Sequence, residues 1–118
     1  MNGLPSTVDL TPLKNKRIEQ ICFGAWVVIF NIEGGIRIAV EGDCAITSAA
    51  GLLRRIEDCK TNATDLCRFV GSEVQDAERD ANGGLTLKFR AGETLHILNS
   101  RDAYESFQLH IGDHVYVA

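Results

Sequence analysis

His96, His110 and His114 make up the whole histidine complement of this chain, and two of them flank one short turn near its end. Neutral imidazole is a good zinc donor, and side chains opposed across a hairpin have Cβ atoms roughly 4.5 to 5.5 Å apart, close enough to share one ion. The spacing predicts such a pair. Phe107 and Leu109 share a face with Val115 and Val117 if the loop is the three residues Ile111-Gly112-Asp113, and His110 then stands directly opposite His114. With Asp113 as a further ligand the turn becomes a zinc site; without a metal it is a polar pair on a wet face. His96 falls on the outer side of another strand, and the three histidines together define a small-ligand or metal-binding reading.

No other chemistry is spelled out by spacing. There is no G-x-S-x-G, no H-E-x-x-H, no Walker loop and no G-x-G-x-x-G opening a helix. Gly34-Gly35 and Gly83-Gly84 read as turns, and the carboxylate pairs Glu57/Asp58 and Asp102/Glu105 read as solvated surface beside turns. The sequence therefore points away from an enzyme. It assigns no catalytic residue and no cofactor, zinc being the alternative.

The elements that would carry these residues are strands. From Arg17 onward apolar residues alternate or run in short blocks rich in Val, Ile, Phe and Leu, punctuated by glycine pairs. In WVVIFNIEGGIRIAV, the inward set Trp26, Val28, Phe30 and Ile32 shares a face with Ile36, Ile38 and Val40 only if Ile32 opposes Ile36. That leaves the loop Glu33-Gly34-Gly35, whose last position favours glycine. In LTLKFRAGETLHIL, Leu85, Leu87 and Phe89 meet Leu95 and Ile97 across Arg90-Ala91-Gly92 in the same way. The two hairpins superpose residue for residue, and RIEQICF and SEVQDAER supply a preceding strand for each.

The expected fold is mainly β (α+β): a duplicated antiparallel β-meander forming a curved sheet, roll or small sandwich, with one or two short helices between the copies. SAAGLLRRIEDC places Leu52, Leu53 and Ile56 at helical spacing, and NATDLCRFVG offers Asn62 as a cap, a Leu66/Phe69/Val70 stripe and Gly71 as a stop. The outer sides of the two copies differ. Thr86, Lys88, Thr94 and His96 are polar, whereas Val27, Ile29 and Ala39 are apolar and need a cover. At 118 residues the chain reads as a single domain, 1–118, with an N-terminal arm at 1–16, a first meander at 17–47, a helical or loop connector at 48–70 and a second meander at 71–118.

With 45% hydrophobic and 24% charged residues the chain is too apolar for a disordered protein. A net charge of −4 argues against phosphate backbones as partners, because such binding needs clustered Lys and Arg. No apolar run is long enough to span a bilayer and no charged-then-apolar leader opens the sequence, so a cytoplasmic protein without membrane or nucleic-acid partners is expected. Cys22, Cys44, Cys59 and Cys67 lack any C-x-x-C pair and read as mostly buried free thiols.

The segment from Phe89 to Phe107, Phe-x-x-Gly-x-x-Leu-x-Ile leading into Tyr104-Glu105-Ser106-Phe107, resembles a family of small uncharacterised bacterial β-rich proteins that close with a Tyr-Glu-x-Trp-like strand. Phe107 stands where that pattern carries tryptophan. The resemblance spans residues 17 to 118 and implies a compact two-meander fold and an association with toxin systems, with no catalytic residues to carry over. A non-enzymatic protein-binding module, immunity-like, is accordingly the first functional reading. Its partner-facing residues are Tyr104, Glu105, Val27 and Ile29, and the partner is another protein or a second copy of the chain.

Overall fold

The computed structural model describes residues 3–56, 63–99 and 106–118. Along the chain run a 3-10 turn, Thr11–Leu13, the strands β1 (Ile18–Phe23), β2 (Val28–Ile32), β3 (Ile36–Val40), β4 (Cys44–Thr47) and β5 (Leu53–Ile56), a short helix α1 (Ala63–Cys67), then β6 (Val74–Arg79), β7 (Leu85–Phe89), β8 (Thr94–Ile97), β9 (Phe107–Ile111) and β10 (His114–Val117). They form two antiparallel five-stranded sheets, ordered β1-β2-β3-β9-β10 and β5-β4-β8-β7-β6.

Period-two alternation decides what each sheet buries. Val28, Phe30, Ile32, Ile36, Ile38 and Val40 point inward from the first sheet, and Leu85, Leu87, Phe89, Leu95 and Ile97 from the second. Cys44, Ile46, Phe107 and Leu109 complete one core shared by both sheets. Burying a side chain of this size contributes roughly 1.5–3 kcal/mol, so the shared core is what holds the layers together.

The hairpin registers at the two glycine loops are those the spacing predicts: Ile32 pairs with Ile36, and the Phe89 N–H donates to the Glu93 carbonyl at 2.9 Å. Gly35 and Gly92 take positive φ, at 76° and 107°. Trp26 departs from the expected inward row. The Gly24 N–H donates to the Val27 carbonyl, which turns the chain before β2 begins and leaves Trp26 79% exposed.

Each three-stranded meander is completed by a hairpin from the other half of the chain. The β4-β5 hairpin leaves β3 and pairs with β8, Cys44 opposite Ile97, while β9-β10 leaves β8 and pairs with β3, Phe107 opposite Val40. Matching backbone bonds recur across this exchange. The Glu41 N–H donates to the Ser106 carbonyl as the Leu98 N–H does to that of Asp43; Ile18 donates to Ser72 as Val74 does to Lys16. An antiparallel bridge between Arg17 and Glu73 lies where the matching halves meet.

The correspondence starts earlier than the sequence suggests. Leu10 and Leu13 on the 3-10 turn are buried as Leu66 and Phe69 are at α1, and Leu13 N–H donates to Leu10 as Phe69 does to Leu66. The arm at 1–16 therefore contributes core. Leu4 is also buried, and its N–H donates to the Gly83 carbonyl.

Two expectations are corrected. Leu52, Leu53 and Ile56 do not share a helix: Leu53–Ile56 is the edge strand β5, with only Ile56 of its four residues buried. The helix of this region is α1, which Gly71 follows with a φ of 84°. At the last hairpin the loop is two residues, Gly112-Asp113, so His114 pairs with Ile111 and Val115 with His110. Gly112 alone takes positive φ, the backbone sign of a type II′ turn. The thiols also depart in part: Cys44 is buried, Cys22 half-buried and Cys67 exposed, all free, while Cys59 lies outside the described residues.

Candidate functional site

The two sheets share a pairing scheme but present different outer faces. Across the first sheet, partner by partner, runs the row Cys22, Ile29, Ala39, Gln108, Val117, which carries no charged side chain. Beside it runs Gln20, Asn31, Arg37, His110, Val115. The equivalent rows of the second sheet are Glu78, Thr86, His96, Ala45, Arg55 and Asp76, Lys88, Thr94, Thr47, Leu53. Ile29 and Ala39 are half-buried and Val117 is 39% exposed, so the apolar row reaches the surface. Val27, in the turn before β2, is half-buried as well.

On the second sheet, His96 is held between two hydroxyls. Its Nε2 lies 2.9 Å from Thr47 Oγ1 and its Nδ1 3.5 Å from Thr86 Oγ1, so the neutral ring can donate on one side and accept on the other. Ala45, Leu53, Arg55, His96 and Leu98 line a pocket of about 280 Å³ over the ring. Arg55 is ion-paired with Asp43 at 2.9 Å, and Leu53 is 68% exposed. The pocket requires β4 beside β8, since pairing alone brings Ala45 against His96.

Burial pushes the His96 pKa below the ordinary 6.5, with the Asp80 charge opposing. A histidine pKa lowered by folding means that the unfolded chain takes up its proton first as the solution is acidified. The stability linked to His96 is thus complete above pH 6.5 and is lost as pH falls through the folded-state value. Thermal melts should show this acid-side loss in the wild type and a smaller one in His96→Gln. Identical pH profiles for the two proteins would contradict the half-buried neutral ring.

The facing imidazole pair is not formed. His110 points from the outer face of the first sheet, opposite Val115 and 3.1 Å from Gln108 Oε1. His114 alternates to the other face, exposed and stacked on Tyr116 at a centroid distance of 6.3 Å. Asp113 is exposed in the turn between them, and His96 belongs to the other sheet. The geometry proposed for a zinc ion on His110, His114 and Asp113 depended on a register one residue longer. Tyr104 and Glu105 lie outside the described residues. The residues missed by spacing are Thr47, Leu53 and Leu98; the only sequence signal for them was the outward phase of His96 itself.

Pairing and burial together define a mainly β protein of two sheets joined by exchanged hairpins. The profile of a family of unknown function, DUF6188, matches residues 9–118, and the chain belongs to that family. No curated protein and no solved structure gives a significant match. Among the described residues no helix is long and apolar enough to cross a membrane.

Proposed function

We propose that the protein is a non-enzymatic protein-binding module, bacterial and cytoplasmic, whose outer face on the first sheet receives a protein partner. The observation that carries this reading is the contrast between two faces built on one pairing scheme. Where the second sheet places Glu78, Thr86, His96 and Arg55, the first places Cys22, Ile29, Ala39 and Val117. A solvated face of a sheet needs no such apolar row, whereas the centre of a docking surface is depleted of charge. An immunity-like role rests on the resemblance carried by Phe89 to Phe107, and the matching halves are read as an internal repeat whose outer faces have diverged.

The test is binding to whatever native-host protein the wild type retains on a column, then measured with both components purified. Ile29→Lys combined with Ala39→Glu should weaken that affinity by at least about tenfold, or ~1.4 kcal/mol, while the melting curve shifts little. Unchanged affinity in the double variant would remove this face from the reading.

The pocket over His96 favours a second reading, a small-ligand site. It is apolar in the middle of a polar face and has a guanidinium at its rim, a pairing suited to an aromatic carboxylate. Phenylacetate should then shift the His96 ring signals in an NMR titration; signals unmoved at saturating probe would end this reading.

A further inference from the structure

The four edge strands of the two sheets are not alike. β1 carries Glu19, β5 carries Arg54 and Arg55, and β6 carries Asp76, Glu78 and Arg79. The β5 arginines are also ion-paired, Arg54 to Asp65 at 2.7 Å and Arg55 to Asp43 at 2.9 Å. Charged side chains along an edge are a common device against strand-to-strand pairing with another molecule. β10, His-Val-Tyr-Val, carries no Asp, Glu, Lys or Arg, and Val115 and Val117 on it are 54% and 39% exposed.

The hydrogen-bond phase of this edge is determined. Phe107 and Ala118 exchange both backbone bonds, at 2.9 and 3.3 Å. By the alternation of an antiparallel ladder, His114, Tyr116 and Ala118 direct their backbone groups toward β9, and Val115 and Val117 direct theirs to the open edge. The edge therefore offers two donors and two acceptors, all from valines whose side chains lie on the outer face.

We propose that β10 pairs antiparallel with β10 of a second copy, joining two first sheets into one continuous sheet across a twofold axis. For the outer faces to stay on one side, the axis must stand perpendicular to the sheet, which brings residues of like phase opposite each other. The register that uses every outward group places Val115 opposite the partner's Val117, Val117 opposite the partner's Val115, and Tyr116 opposite the partner's Tyr116. Four backbone bonds form, and no donor or acceptor of the edge is left over. The side chains that meet are β-branched on the outer face and aromatic on the inner one, cross-strand pairs that favour association. Self-complementarity in backbone phase and in side chains is what identifies the occupant as a second copy. The edge and the Ile29 face meet at Val117, but the dimer is made by the backbone groups of β10 and is tested at Val115, which the partner reading does not use.

Sedimentation of the full chain across the micromolar range is the experiment, with Val115→Lys as the blocking variant and Leu53→Lys as the control at the matching place on β5. Wild type and Leu53→Lys should reach twice the 12.9 kDa chain mass, while Val115→Lys stays at the chain mass and melts like wild type. A wild type that stays at the chain mass throughout, or a Val115→Lys protein that still doubles it, overturns the proposal. Amide exchange on the wild type provides a readout that needs no variant. The Val115 and Val117 amides should exchange slowly when concentrated and at open-edge rates on dilution; rapid exchange at every concentration also overturns it.

Discussion

Phe107→Ala is expected to lower the unfolding free energy by about 3–5 kcal/mol, the range for deleting a fully buried aromatic ring. Phe107 is 0% exposed and opens β9, the strand that crosses from the second half of the chain to complete the first sheet. Its backbone is held on both sides, paired with Val40 of β3 and exchanging bonds with Ala118. The ring therefore cannot be replaced by a simple collapse of β9 inward. Domains of this size have only about 5–15 kcal/mol in total, so the variant should unfold at a much lower denaturant midpoint with a similar slope. A loss below about 1.5 kcal/mol would mean that the site relaxes and that β9 is not fixed as described.

Gly84→Ala should have the next largest effect, about 2–4 kcal/mol, through space rather than backbone preference. A Cβ at this position would lie 2.7 Å from the Ile97 carbonyl oxygen and would also meet the Asp80 carboxylate. That carboxylate already accepts the N–H groups of Asn82 and Gly84, each at 2.8 Å, and the Asp80 N–H donates to the Gly84 carbonyl. Moving Asp80 aside leaves those donors without a charged acceptor, and moving Ile97 disturbs the β7-β8 ladder. Gly35→Ala is the contrast: nothing lies within 4 Å of its added carbon, so it carries only the strain of its positive φ of 76°, about 1–2 kcal/mol. If both variants melt alike, the crowding assigned to Gly84 is wrong.

Register was readable in the sequence wherever both strands of a hairpin face the core. A slip of one residue would have turned Phe30, Ile38, Leu87 or Leu95 outward, so burial left one solution for each glycine loop. The last hairpin lacked that constraint. Val115 and Val117 look like core residues but lie on an edge strand with an open face, and the informative signal was Gly112-Asp113, a two-residue turn with glycine first. Leu52, Leu53 and Ile56 misled for a related reason: a short apolar cluster carries too few residues to separate a period of 3.6 from a period of 2. The exchange of hairpins left no local trace at all. Nothing in Cys44–Thr47 says that it pairs with β8 and not with β3, and the pocket over His96, assembled by that pairing, was hidden with it.

That exchange also constrains the order in which the molecule is completed as it leaves the ribosome. β3 is made some seventy residues before its neighbour Phe107–Ile111. Until then its row of donors and acceptors faces solvent, the condition in which nascent β chains are most open to misassembly. Folding must therefore be slow for a protein of this length, because the closing contacts join residues some seventy positions apart.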